Sequence, residues 1–216
     1  MHWHSLLSSG SRIHSLWNPV PSHMRGAADA FAEGEAAGIG GWLDLDGAMN
    51  RASLVWFSLQ FGTQDLPVWW DAPVNLQSAI SSFELLAQVA RVIVKHAANG
   101  RTPLSCVFSL QSDSTPAEGR GNKLFSTNPR LGPIWLNLAA WATRANVDAR
   151  IKLSPGTRHL LADALSHNHF SDLGLSSDRS IFPNWDHLWN FNSQVTLLPE
   201  DVLWHPSVKE LSRQAP

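Results

Sequence analysis

An α/β fold is what this sequence predicts, with its elements in the order β-β-β-α-β-α-β-α. Three observations predict it: short strand-like runs near the start, one long run that is apolar on nearly all sides, and a later alternation of strand and helix patterns. The strand-like runs are Arg25 to Phe31, Gly38 to Leu45 and Ala52 to Phe61, divided by Gly, Asp and Asn, the punctuation of an antiparallel meander. Residues 62 to 77 hold Pro67, Trp69, Trp70 and Pro73 and read as a loop carrying aromatic anchors. From Ser78 to Ala98, Ile80, Phe83, Leu85, Leu86, Val89, Ala90, Val92, Ile93 and Val94 leave no broad polar face, so this helix is expected to lie buried against a sheet. Asn99-Gly100 supplies its stop.

Leu104 to Leu110 reads as a buried strand running on to Asp113, Pro129 to Ala145 as a second helix, and Val147 to Leu153 as a further strand that alternates Val147, Ala149, Ile151 and Leu153. The run from Leu160 to Ser166 makes the last helix. These elements define one α/β domain over residues 24 to 169. Residues 1 to 23 mix Ser, His and Pro around the apolar cluster Ile13 to Trp17 and read as a connecting segment that needs a neighbour to pack on. After Asn168 periodicity is lost and Pro183, Pro199 and Pro206 are scattered among apolar residues, so residues 170 to 216 are expected to form an extended tail or linker.

At 44% hydrophobic, the chain has enough apolar material for a core. Its net charge of -2 offers no whole-molecule attraction to a polyanion, so any nucleic-acid contact has to be local. One stretch supplies a candidate surface: Arg120, Lys123, Arg130, Arg144, Arg150, Lys152 and Arg158 face a single acid, Asp148. Solvated loop and helix charges are the competing account of that stretch. Cys106 is the only cysteine, which excludes an internal disulfide and a cysteine-based zinc site. Neither a signal peptide nor a membrane span is indicated, so the expected location is intracellular, cytoplasmic or nuclear, and not secreted. Eleven Trp stand beside no Tyr; for Trp69, Trp70 and Trp185 to Trp189, packing in the core or at a junction is favoured over base stacking.

Four acids close short motifs far apart in the chain: Asp29, Glu84, Asp113 and Asp163. Phosphodiester hydrolysis by two divalent metals about 4 Å apart needs several carboxylates, gathered from distant points, to hold hard cations while the pKa of the attacking water falls. Each acid also has a plainer account. Asp29 is placed to cap a turn before Glu33-Gly34. Ser81-x-x-Glu84 is a capping box, with Ile80 and Leu85 as its hydrophobic staple. Asp113 before Ser114 and Thr115 suits an N-cap or Asx-turn. Asp163 is explained equally well as an exposed acid on an amphipathic helix. Their joint order is what favours chemistry.

The matching pieces are Ala28-Asp29-Ala30 with Gly38-Ile39-Gly40-Gly41-Trp42, then Ile80-Ser81-Ser82-Phe83-Glu84-Leu85-Leu86-Ala87. Ser112-Asp113-Ser114-Thr115 with Ala117-Glu118 and Asn122-Lys123-Leu124-Phe125 follow, and Pro155-Gly156 precedes Ala162-Asp163-Ala164-Leu165-Ser166. In this order, over Gly26 to Asn168, the chain resembles the ribonuclease H domain of retroelement reverse transcriptases, with the nearest look being that of tyrosine-recombinase (DIRS-like) retrotransposons. The resemblance implies a ribonuclease H-like, mixed five-stranded sheet flanked by helices, and two Mg2+ ions, with Mn2+ as a substitute. It implies hydrolysis of the RNA strand of an RNA·DNA hybrid read through its backbone and 2′-hydroxyls. Carried over by position, Asp29 would bridge both metals, Glu84 and Asp113 would hold the one on the leaving-group side, and Asp163 the one that activates water. Ser114, Asn122, Lys123 and His159 fall where substrate contacts are implied.

This chain departs from the pattern at four places. Leu153 stands where a histidine precedes the Pro-Gly, a change implied to slow product release rather than remove the metals. His159 replaces an asparagine four residues before the last acid, with a surface position expected for it; Ser114 replaces an asparagine, and His167 replaces a closing basic residue. No polymerase motif is present although such a domain normally follows one, so the expectation is a piece of a larger polyprotein whose polymerase domain is its partner, or a degraded element copy. Three functions compete: a metal-dependent ribonuclease H of impaired output, a catalytically inactive relic serving as a structural or nucleic-acid-binding module, and a DNA nuclease or transposase-like enzyme. The fourth acid speaks against the last.

Overall fold

The computed structural model describes residues 20–21, 25–45, 47, 49–98, 106–112, 128–144, 148–153, 159–171, 173–183, 185–189 and 202–204. Strand β1 is Val20–Pro21, β2 Arg25–Glu33, β3 Ala36–Asp44 and β4 Val55–Gly62. Strands β2, β3 and β4 form the antiparallel meander; β2 runs two residues past its sequence reading, β3 starts two residues before it, and β4 starts three residues after it, because Arg51–Ser53 forms a 3-10 turn instead. Glu33 pairs with Ala36 across a two-residue loop, and Gly34 at φ 59° provides the left-handed first position that a tight hairpin with right-twisted strands requires.

The long helix α1 spans Ile80–Ala98 and is led in by a short 3-10 turn, Leu76–Ala79. Asn75 caps that turn by accepting a hydrogen bond from the Gln77 backbone N–H at 2.9 Å. The capping box read at Ser81 is therefore displaced: Ser81 lies inside the helix and Asn75 performs the capping, because the first turn starts earlier than the apolar periodicity showed. Leu85, Leu86, Val89, Val92 and Ile93 are fully buried against the meander, and each contributes about 1.5–3 kcal/mol of transfer free energy.

After it come β5 (Cys106–Ser112), α2 (Gly132–Arg144), β6 (Asp148–Leu153) and α3 (Leu160–Ser166), the alternation expected. Strand β5 runs parallel to both β1 and β6. Instead of one five-stranded sheet, the described residues make two three-stranded sheets, β4-β3-β2 and β1-β5-β6. The division arises where β1 ends at Pro21 and β2 begins at Arg25; β1 bonds to β5, β2 bonds to β3, and β2 also lies against β5.

The expected extended tail is structured at its start. A 3-10 turn (Ser177–Arg179), β7 (Ile181–Pro183) and α4 (Trp185–Trp189) follow α3, and β7 pairs with β8 (Val202–Trp204). Ile181, Leu188 and Trp189 are at most 1% exposed and belong to the same core as α1 and the meander. Trp189 packs on Trp70 and Trp185, and Trp70 and Phe61 pack on Phe83. Apolar contacts at distant positions, rather than periodicity, hold this segment. It also settles the aromatic anchors as packing groups, with Trp69 alone of this set half exposed at 48%.

Candidate active site

Side chains of directly paired residues share a face of a sheet. Two adjacent rows cross the meander: Asp29–Gly40–Ser58 and Phe31–Gly38–Gln60. Both belong to the face opposite the apolar row Ala30–Ile39–Leu59 that faces the core. Helix α3 lies across these two rows. A Cβ on Gly40 would meet the backbone of Leu165 and Ser166, and one on Gly38 would meet the Ser166 carbonyl, so only glycine lets the helix backbone rest on the strand.

The last carbonyls of a helix lack partners within it. In α3 they find them on the sheet: the Ser58 hydroxyl donates to the Leu165 carbonyl at 2.6 Å, and Gln60 Nε2 donates to the Ser166 carbonyl at 2.6 Å. Asn168 adopts the left-handed conformation, φ 61°, and the backbone N–H of His169 donates to the Ala164 carbonyl at 2.8 Å, which closes the helix end. The imidazole of His167 stacks on Phe31 with ring centroids 4.2 Å apart, and its Nε2 lies 3.8 Å from Oδ1 of Asp163, one turn earlier. Asp163 thus stands in the first turn of α3, side chain 58% exposed, on the face of the sheet that carries Asp29. Asp29 is half-buried, and its Oδ1 accepts from the Ala30 backbone N–H at 2.9 Å.

Glu84 arrives from the other side. Along α1, Glu84, Gln88, Arg91 and Lys95 form one polar stripe, a spacing of three or four that keeps them on one face. Gln88 Nε2 donates to the Ala28 carbonyl at 3.1 Å, and Arg91 Nε lies 3.3 Å from the Cβ position of Gly26. Helix and strand therefore run in opposite senses, and one helical turn beyond Gln88, about 6 Å, brings the half-buried Glu84 level with Asp29 and Ala30. Burial pushes the Arg91 guanidinium down from its ordinary value to about 10, which leaves it charged at neutral pH beneath β2.

Of the residues singled out from sequence, Asp113, Ser114, Asn122 and Lys123 lie outside the described residues, as do the side chains of Arg144, Arg150 and Lys152. Asp113 follows directly on Ser112, the last residue of β5. His159 is not on the surface as expected: it precedes α3 and is 1% exposed. Arg130 is turned to Asp71, donating from Nε to the backbone carbonyl at 2.6 Å with a 3.7 Å contact to the carboxylate, so it is engaged within the fold rather than presented to phosphate. Among the described residues no three His, Cys, Asp or Glu side chains gather closely enough to hold a metal ion. Asp29, Glu84 and Asp163 have the hard oxygen donors that Mg2+ prefers, but by themselves they do not complete a site. Ser58 and Gln60 were not singled out from sequence; their signal was the alternation Phe57-Ser58-Leu59-Gln60-Phe61, which marks a polar face without naming what it holds.

No protein-family model and no curated protein matches the chain. Among solved structures, the chain is similar to RNase H1 from the halophilic archaeon Halobacterium salinarum NRC-1, at 20% identity and a TM-score of 0.45, covering 69% of this chain and 98% of that one. It is also similar to the N-terminal RNase H domain of a Mycobacterium tuberculosis protein, solved as a fusion with maltose binding protein, at 14% identity and a TM-score of 0.48, covering 68% of this chain and 91% of that one.

Proposed function

We propose that this chain is a metal-dependent endonuclease of the ribonuclease H type that hydrolyses the RNA strand of RNA·DNA hybrids, within or derived from a retrotransposon polyprotein that also supplies a polymerase domain. What supports this reading is where the elements bearing three of the four acids lie: Asp29 is on β2, α3 with Asp163 in its first turn is laid across the face of β2, and Gln88, one helical turn from Glu84 on α1, bonds to Ala28 of β2. Asp113, next in sequence after the end of β5, would supply the fourth; that β5 lies against β2 supports this. In this reading β1 and β2 are two parts of one bent strand, which makes a single mixed sheet in the order β4-β3-β2/β1-β5-β6.

Asp29, Glu84, Asp113 and Asp163 would hold two Mg2+ ions, whose chemistry is to lower the pKa of the attacking water and stabilise the charge that develops on phosphate. The chain's own part is positional. The Ala30 N–H fixes one oxygen of Asp29, and α3 presents the exposed Asp163; Ser114, Asn122 and Lys123 would contact the hybrid backbone. Such a protein works inside the cell, where hybrids arise.

A second reading, an inactive relic that only binds or scaffolds nucleic acid, is favoured by His159, which stands at a helper position yet is 1% exposed. One assay separates the readings: labelled RNA·DNA hybrid and duplex DNA of the same sequence are incubated with the protein and Mg2+. The nuclease reading predicts cleavage of the RNA strand alone. Cut DNA would point to a DNA nuclease, and hybrid binding without cleavage, indifferent to Mg2+, would establish the relic.

A further inference from the structure

We infer that Ser58 and Gln60 of β4 are positioning residues for Asp163, holding the last turn of α3 in a two-row cradle on the sheet; this rests on the metal-site reading above. The cradle is built from the two cross-strand rows. In one, Asp29, Gly40 and Ser58 lie side by side, so the residue that fixes the Leu165 carbonyl is in register with the acid that Asp163 must meet. In the other, Phe31, Gly38 and Gln60 lie side by side, with Phe31 stacked on His167 and Gln60 bonded to the Ser166 carbonyl.

Both glycines bring the α3 backbone down onto β3, and both hydrogen bonds then stop it from sliding or rotating. Helix α3 has only seven residues, so Asp163 stands within one turn of the clamped carbonyls. The Ser166 hydroxyl ties the two ends together by donating to the Asp163 carbonyl at 2.8 Å. A rotation of α3 about its axis would therefore carry the Asp163 carboxylate around with it, while Asp29 stayed fixed in β2. Supporting groups of this kind orient ligands that they do not touch.

The test is Mg2+ binding by titration calorimetry on the full chain, with hybrid cleavage measured across Mg2+ concentrations. Gln60→Ala, at an exposed position, and Ser58→Ala are each expected to weaken Mg2+ binding about 10-fold, and Ser58→Thr, which keeps the hydroxyl, to restore it. The Mg2+ concentration for half-maximal cleavage should rise with it, while the KM for hybrid at saturating Mg2+ stays unchanged. A cradle with only a structural role would lower Tm and leave Mg2+ affinity of the folded protein as it was; that result overturns the inference. Should Asp163→Asn bind Mg2+ weakly while both cradle variants bind it as the parent does, the metal site stands and the cradle role falls. Should Asp29→Asn and Asp163→Asn bind Mg2+ like the parent, the reading beneath it falls as well.

Discussion

Gly40 is flanked in the sheet by Asp29 and Ser58, and its missing side chain sets how closely α3 approaches the strand. Gly40→Ala would drive a methyl into the Leu165–Ser166 backbone, which has no flexible end to yield. The expected cost is about 2 kcal/mol, read as a fall in Tm of roughly 4–8 °C for a domain of this size. An unchanged Tm would mean that α3 is not seated as described. At this scale the sequence marks the acids as candidates because each closes a short motif, and Gly38 and Gly40, which seat α3, stand in one of those motifs. Ser58 and Gln60 were not, because a polar residue at every second strand position also describes an ordinary solvent face, and the carbonyls they hold lie 107 and 106 residues away. His159 misled for a related reason: histidine suits both surface and interior, and only its place ahead of α3 shows which.

Helix α1 shows where pattern reading holds and where it slips. Its all-round apolar character predicted burial beneath a sheet, and that is its setting. Its start was misplaced because the 3-10 lead-in at Leu76–Ala79 has no apolar period of 3.6, so Ser81 looked like a cap when Asn75 is one. The consequence reaches the site: with Ser81 inside the helix, the capping-box account of Glu84 fails, and its place on the stripe with Gln88, Arg91 and Lys95 remains as the reason for its position. The segment after Asn168 was read as tail because prolines and absent periodicity hid Ile181, Leu188 and Trp189, whose partners are distant in sequence. Ending the chain at Asn168 removes all three. The loss is about 2 kcal/mol for each aliphatic and 3–5 kcal/mol for the tryptophan, comparable with the whole stability of a domain. Such a chain is expected to show no cooperative thermal transition by circular dichroism; an intact transition would place the domain end near residue 169.

For the whole molecule, the order of strands and helices from β2 to α3 was readable from periodicity alone, whereas the joining of two sheets was not. That joint depends on β1 and β2 choosing different partners, β5 and β3, a matter of long-range pairing that no local pattern encodes. The proposed function depends on the same joint, since there β5 lies against β2. Among the described residues no helix is long and apolar enough to cross a membrane. The net charge of -2 also leaves hybrid binding to local groups, so its affinity should owe little to the global field. The most direct test of the central claim is single-turnover cleavage of an RNA·DNA hybrid labelled on the RNA, with Mg2+ present or chelated, comparing the parent chain with Asp29→Asn. The account predicts cleavage that needs Mg2+ and falls by more than about 100-fold in the variant, the scale of losing one group that stabilises transition-state charge. Equal cleavage by parent and variant, or none by either, would contradict it.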